Sequence, residues 1–215
     1  MKLDLSKPIL YLITRGASTE ATTADSPEFS KILDQVSAAV SAGVDLVQIR
    51  EKRLSARVLF QLTQRAATLT RRTATRLLVN DRADVVASAG ADGVHLTTQS
   101  IDAQTIRRVF GSQLLIGTST HSLEEAESAR DGGADFVVFG PVFPTVSKQT
   151  YGKPVGAREL ERAARELRPF PLLALGGITT ENAADCLRAG ASGIAGISLF
   201  ADPSTIATAV GRIRR

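Results

Sequence analysis

The chain has 215 residues, 43% of them hydrophobic and 22% charged, which fits one folded domain over residues 1–215 built around a large core. A single cysteine, Cys186, excludes an intramolecular disulfide and a cysteine-built zinc site, and is expected to pack beneath a helix. The net charge of +4 comes without tryptophan and with two tyrosines, so the basicity lacks a base-stacking platform and points to small anionic substrates rather than nucleic acid.

Eight short apolar segments, most rich in Val, Ile and Leu, read as buried strands: residues 9–14, 45–50, 76–81, 93–96, 114–119, 136–141, 171–177 and 193–198. Amphipathic stretches at 29–43, 55–72, 102–111, 123–133, 157–167 and 180–190 read as helices between them, and a further helix is expected to start at Arg82. Two polar stretches, after the first and the sixth strand, read as loops. A weak internal echo, "SAGVDLVQI", "SAGADGVHL", "DGGADFVVFG" and "RAGASGIAGI", joins a helix end to a new strand through glycine. Alternation of this kind predicts an α/β fold, a (β/α)8 barrel with parallel strands. An open doubly wound sheet is the rival, but no GxGxxG follows the first strand. The apolar runs are too short to cross a bilayer, and the start "MKLDLSKPIL" is charged where a signal peptide is apolar, so the expected location is cytoplasmic. A homo-oligomer is allowed by the sequence.

In such a barrel the strand ends and the loops after them form one face. The period of two sends Gln48, Arg50 and Lys52 to one side, Asn80 and Asp81 end the third strand, and the fifth runs through Ser119 to His121. Thr145, Ser147 and Lys148 follow the sixth, Gly176 and Gly177 the seventh, and Ser198 the eighth. Each has a structural alternative. Arg50, Glu51 and Lys52 could be a solvated charge cluster, Asn80 and Asp81 could cap a helix, and Ser122 with Glu125 forms a capping-box pattern. Taken together, these groups suggest phosphate handling. Arg50, Lys52 and Lys148 are cationic donors, Asp81 can take a divalent cation, and the turns after the last two strands expose backbone N–H groups. Gln48 and Arg50 lie in an apolar run and need partners, for which an anionic ligand is the simplest candidate. His95, flanked by Val94 and Leu96, is expected to be structural.

The segments "VQIREK", "VNDRAD", "DGVHL", "GTSTHS", "FGPVFPTVSK", "LGGIT" and "GISLF", in that order, resemble thiamine phosphate synthase and its relative, the thiazole tautomerase TenI, from about Ile9 to Phe200. The resemblance implies a (β/α)8 barrel. It also implies a transferase that joins 4-amino-5-hydroxymethyl-2-methylpyrimidine diphosphate to a thiazole (carboxylate) phosphate, giving thiamine phosphate and pyrophosphate with Mg2+. By position, Gln48, Arg50, Lys52 and Asn80 would hold the pyrimidine diphosphate and Asp81 the magnesium. Ser119 would contact the substrate, Thr145, Ser147 and Lys148 would form a closing loop, and Lys148 would reach the departing pyrophosphate. Gly177, Ile197 and Ser198 would take the thiazole phosphate. One position departs from the family: Ser100 stands where the synthases carry a second metal-binding aspartate, so the magnesium site is expected to be weakened or lost, and Asp102 is a doubtful substitute. The alternatives are a metal-independent tautomerase with His121 as proton shuttle, and a non-catalytic phosphate-binding relative.

Overall fold

The computed structural model describes residues 3–145 and 154–215. Eight parallel strands close into a barrel in sequence order: β1 (Ile9–Ile13), β2 (Leu46–Ile49), β3 (Arg76–Asn80), β4 (Gly93–Leu96), β5 (Leu115–Thr120), β6 (Phe136–Phe139), β7 (Leu172–Ala174) and β8 (Gly193–Gly196). Outside them run α1 (Pro27–Ser41), α2 (Ala56–Thr70), α3 (Ala83–Ala89), α4 (Ala103–Phe110), α5 (Leu123–Asp131), α6 (Gly156–Leu167), α7 (Ala183–Arg188) and α8 (Ile206–Ile213). β1 pairs with both β2 and β8, which closes the sheet and removes its edges.

Strand alternation divides the apolar residues into two cores. Leu10, Leu12, Val47, Val79, Val94, Ile116 and Val137 point outward and pack with the helices. Ile9, Tyr11, Ile13, Leu46, Leu78, Leu115, Phe136, Val138 and Leu173 fill the barrel itself. Towards the C-terminal ends of the strands, polar side chains replace this inner apolar set, and that change creates a site.

At the opposite end, the repeated glycine-containing junctions share a second device. Asp45, Asp92 and Asp135 accept the backbone N–H of Leu10, Leu77 and Ile116 at 2.8, 2.8 and 2.7 Å, and Ser192 Oγ accepts that of Leu172 at 3.4 Å. Each residue precedes an even-numbered strand and ties down the start of the preceding odd-numbered one. The internal echo in the sequence is thus the trace of four latched strand pairs.

Candidate active site

Gln48 and Asn80 occupy inward positions near the ends of β2 and β3, and His95 and Ser119 do so on β4 and β5. With Arg50, Lys52, Thr97, Thr98, Gln99, His121, Leu175 and Ile197, they line one cleft. A second, smaller hollow is lined by Thr145, Leu175, Gly176, Gly177, Ile178, Gly196, Ile197 and Ser198. The two share Leu175 and Ile197 as a common wall. Of the residues singled out in the sequence, Gln48, Arg50, Lys52, Asn80, Ser119 and His121 converge on the first hollow, and Thr145, Gly177 and Ser198 on the second. Ser147 and Lys148 lie outside the described residues.

The chemistry of the two hollows differs. Arg50 and Lys52 have no ion-pair partner among the described residues, unlike Arg82, which is spent on Asp84 at 2.6 Å. The smaller hollow has no charged residue among its described lining. Gly177 has φ +64°, and a Cβ there would come 2.5 Å from the Pro144 carbonyl oxygen, so only glycine fits the turn.

Glu51 belongs to neither hollow. It is 3% exposed and accepts from Thr14 Oγ1 at 2.7 Å, Gly16 N at 3.1 Å, Ser18 N at 3.0 Å and Ser18 Oγ at 2.5 Å. A solvated Arg50–Glu51–Lys52 cluster is therefore excluded: the carboxylate pins the loop after β1 while its two neighbours face the cleft.

Gln48 also finds protein partners. Its Oε1 accepts from the Tyr11 hydroxyl at 3.2 Å and its Nε2 donates to Asn80 Oδ1 at 3.1 Å, so its polarity does not by itself call for an anion. Asn80 Nδ2 continues to Asp81 Oδ2 at 2.6 Å, and Ser100 Oγ donates to Asp81 Oδ1. Neither Asn80 nor Asp81 caps a helix, because α3 begins beyond Arg82 with no side-chain cap. Asp81 adopts φ +61°, an uncommon conformation for a residue with a side chain.

Ser100 meets Asp81 directly. Asp102 is engaged elsewhere, as the N-cap of α4: its Oδ1 accepts Thr105 N at 2.7 Å and its Oδ2 accepts Thr105 Oγ1 at 3.0 Å. The Thr105 backbone N–H, followed by its hydroxyl, holds the Asp102 carboxyl below the usual carboxylate range. Among the described residues no group of three His, Cys, Asp or Glu side chains could hold a metal ion. A site at Asp81 would have one carboxylate, one hydroxyl and whatever oxygens a substrate brings. That set fits magnesium, which commonly uses one or two carboxylates together with water and phosphate oxygens.

His95 is 2% exposed and held by side-chain hydrogen bonds. Val94 and Leu96 do pack in the outer core, but alternation turns His95 the other way, onto the cleft, where Nε2 lies 2.9 Å from Ser119 Oγ and Nδ1 3.2 Å from the Tyr11 hydroxyl. Tyr11 itself was readable only as an aromatic on the inward register of β1. His121 Nδ1 meets the Gly140 carbonyl oxygen at 2.5 Å, which directs the remaining nitrogen of a cleft-lining ring away from that bond. Ser122 Oγ accepts Glu125 N at 3.2 Å and so caps α5, while the Glu125 carboxylate reaches back past the N-cap to accept the His121 backbone N–H at 2.7 Å.

Comparison with known proteins identifies the family. A family model described as thiamine monophosphate synthase matches residues 10–200. The thiamine-phosphate synthase of Chlorobium luteolum is 42% identical over 77% of this chain and 78% of its own length. That of Roseiflexus sp. strain RS-1 is 40% identical over 88% of this chain and 77% of its own length. The solved thiamine phosphate pyrophosphorylase of Pyrococcus furiosus superposes with a TM-score of 0.78 at 28% identity, covering 97% of this chain and 98% of that one. The barrel, the paired hollows at its C-terminal rim and these likenesses together show that the chain belongs to the thiamine monophosphate synthase family.

Proposed function

We propose that this chain is a thiamine-phosphate synthase, a transferase that couples a pyrimidine-methyl diphosphate to a thiazole phosphate and releases pyrophosphate. The observation that carries the reading is the pair of adjoining hollows: one is lined by Arg50 and Lys52, which have no ion-pair partner among the described residues, the other by the turns at Gly177 and Ser198. Two anions of different size can then sit side by side, with their organic parts meeting near Leu175 and Ile197.

In this reading Arg50 and Lys52 bind the diphosphate and take up the charge that develops as it leaves, a contribution that grows in the transition state. Lys148, outside the described residues, is assigned to the same task on resemblance. Gln48 and Asn80, fixed by their mutual bond, and Ser119 orient the pyrimidine. The turns at Gly177 and at Ile197–Ser198 hold the thiazole phosphate through N–H donors and so aim its ring at the neighbouring substrate. Asp81, with the Ser100 hydroxyl, would hold Mg2+, which when bound supplies additional positive charge to the diphosphate oxygens.

The test is to incubate the purified protein with Mg2+ and both phosphorylated precursors. Pyrophosphate and thiamine phosphate should appear together, and Arg50→Ala should reduce kcat/KM by at least about a hundredfold if it meets the charge of the transition state. Failure to form either product overturns the proposal. One observation favours a second reading: a serine rather than a second carboxylate meets Asp81, while the His121 ring lines the cleft. A metal-independent proton transfer on the thiazole carboxylate phosphate, abolished in His121→Ala, would establish the tautomerase instead.

A further inference from the structure

Behind Ser119 stands a line of hydrogen bonds whose direction can be worked out from its far end. A carboxylate only accepts, so the Asn80 amide must turn its NH2 towards Asp81, which leaves its Oδ1 for Gln48. Gln48 gives its NH2 to that oxygen and keeps Oε1 for Tyr11. The single proton of the Tyr11 hydroxyl is then committed to Gln48, so His95 Nδ1 must bring its own hydrogen to the tyrosine oxygen. In the neutral ring this makes Nε2 a lone pair, and the Ser119 hydroxyl, 2.9 Å away, must donate to it.

We infer that Tyr11 is a positioning residue: through His95 it keeps the Ser119 proton turned away from the cleft, so that Ser119 meets a ligand only as an acceptor and selects an amino or ring N–H group at that point. This inference rests on the proposed reading of the cleft.

The surroundings leave the three side chains little freedom. Tyr11 is fully buried and His95 2% exposed, and the Tyr11 ring lies 5.7 Å from those of both His95 and Phe136. Gly117 opens the space for them, since a Cβ there would come 2.3 Å from Phe136 Cζ and 2.8 Å from His95 Nδ1. Burial pushes the Tyr11 phenol well above its ordinary pKa, which keeps the proton on the hydroxyl throughout the neutral range.

The chain has two histidines, so long-range 1H–15N correlation on 15N-histidine-labelled protein reads both rings, and His121→Ala assigns them. His95 should carry its hydrogen on Nδ1 in the wild type and in Ser119→Ala, and should lose that preference in Tyr11→Phe. The same Tyr11→Phe variant should show kcat/KM reduced about tenfold, the effect of one lost hydrogen bond. An Nε2–H or doubly protonated His95 in the wild type at neutral pH overturns the inference. So does an unchanged tautomer or unchanged kcat/KM in Tyr11→Phe. Should that variant fail to fold, the wild-type and Ser119→Ala spectra still decide. Absence of coupling activity would overturn the proposed function, whereas the ring tautomer is read without any turnover.

Discussion

Glu51 separates two cleft-facing cations in the sequence and is itself satisfied entirely by neutral donors of the loop after β1. Replacing it by glutamine turns one acceptor into an NH2 group facing other donors, and each buried group left unpaired costs roughly 1–3 kcal/mol. Glu51→Gln should therefore lower the urea midpoint, and because Arg50 N also donates to Thr14 Oγ1 at 2.9 Å, it should raise KM for the diphosphate substrate more than it changes KM for the thiazole phosphate. Equal effects on both substrates would show that the loop does not set the position of Arg50. Ser100 invites the opposite kind of change, since its hydroxyl contacts Asp81 directly. Ser100→Asp would place two carboxylates together. The metal-free protein should lose stability through repulsion, and Mg2+ should bind about tenfold more tightly, roughly 1.4 kcal/mol. A magnesium titration superimposable on that of the wild type would show that Asp81 and Ser100 do not form the metal site.

At the level of elements, Asp135 illustrates how the barrel's N-terminal end is held. Its Oδ2 accepts Ile116 N at 2.7 Å and meets Arg107 Nη2 at 2.6 Å, and Arg107 also donates to the carbonyls of Gly133 and Leu114. Asp135→Ala leaves a strand N–H and a half-buried guanidinium short of partners, for an expected loss of about 1–3 kcal/mol in chemical denaturation. Because the latch lies at the end of the barrel opposite the cleft, KM for both substrates should stay at the wild-type value, and a changed KM would contradict that separation. The glycine-containing repeat was visible in the sequence, but its meaning was not, because the acid ties down the strand before it rather than the one it introduces. The strands and six helices were legible from Val, Ile and Leu runs and from helical spacing, and α3 begins one residue after the start expected at Arg82. α8 escaped notice: it is eight residues long, contains Gly211, lacks a side-chain cap, and is held by burying Ile206, Ala209, Val210 and Ile213. Alternation placed Gln48, Arg50 and Lys52 on the cleft, and the same rule applied to β4 places His95 there. The immediate neighbours of His95 say nothing of its direction, because adjacent residues in a strand face opposite sides. Tyr11 gave no sign in its segment that its hydroxyl would find Gln48 and His95, 37 and 84 positions away.

For the molecule as a whole, Cys186 provides an internal reporter. It is 1% exposed on α7 and belongs to the core between the helices and the barrel. Burial, reinforced by the charge of Asp185, pushes its thiol up to about 11 from an ordinary value near 9. The thiolate is the reactive form, so thiol reagents should leave the folded protein untouched near neutral pH and modify it as the structure opens. The sign of the linkage follows. A thiol whose pKa is higher in the folded state contributes its full stabilisation below about 9, and that contribution is lost as pH rises through about 11, up to roughly 2–3 kcal/mol. Cys186→Ala should remove this part of the alkaline loss while incurring its own packing cost at every pH. If exposure of Cys186 requires the barrel to open as one unit, a ligand bound at the rim should protect the thiol by the factor 1 + [L]/Kd, although it touches no atom of α7. Pyrophosphate with Mg2+ should therefore slow alkylation in proportion to its occupancy, and Arg50→Ala should abolish that protection. A labelling rate indifferent to pyrophosphate at saturating occupancy would mean that α7 opens locally, leaving the rim and the rest of the barrel closed.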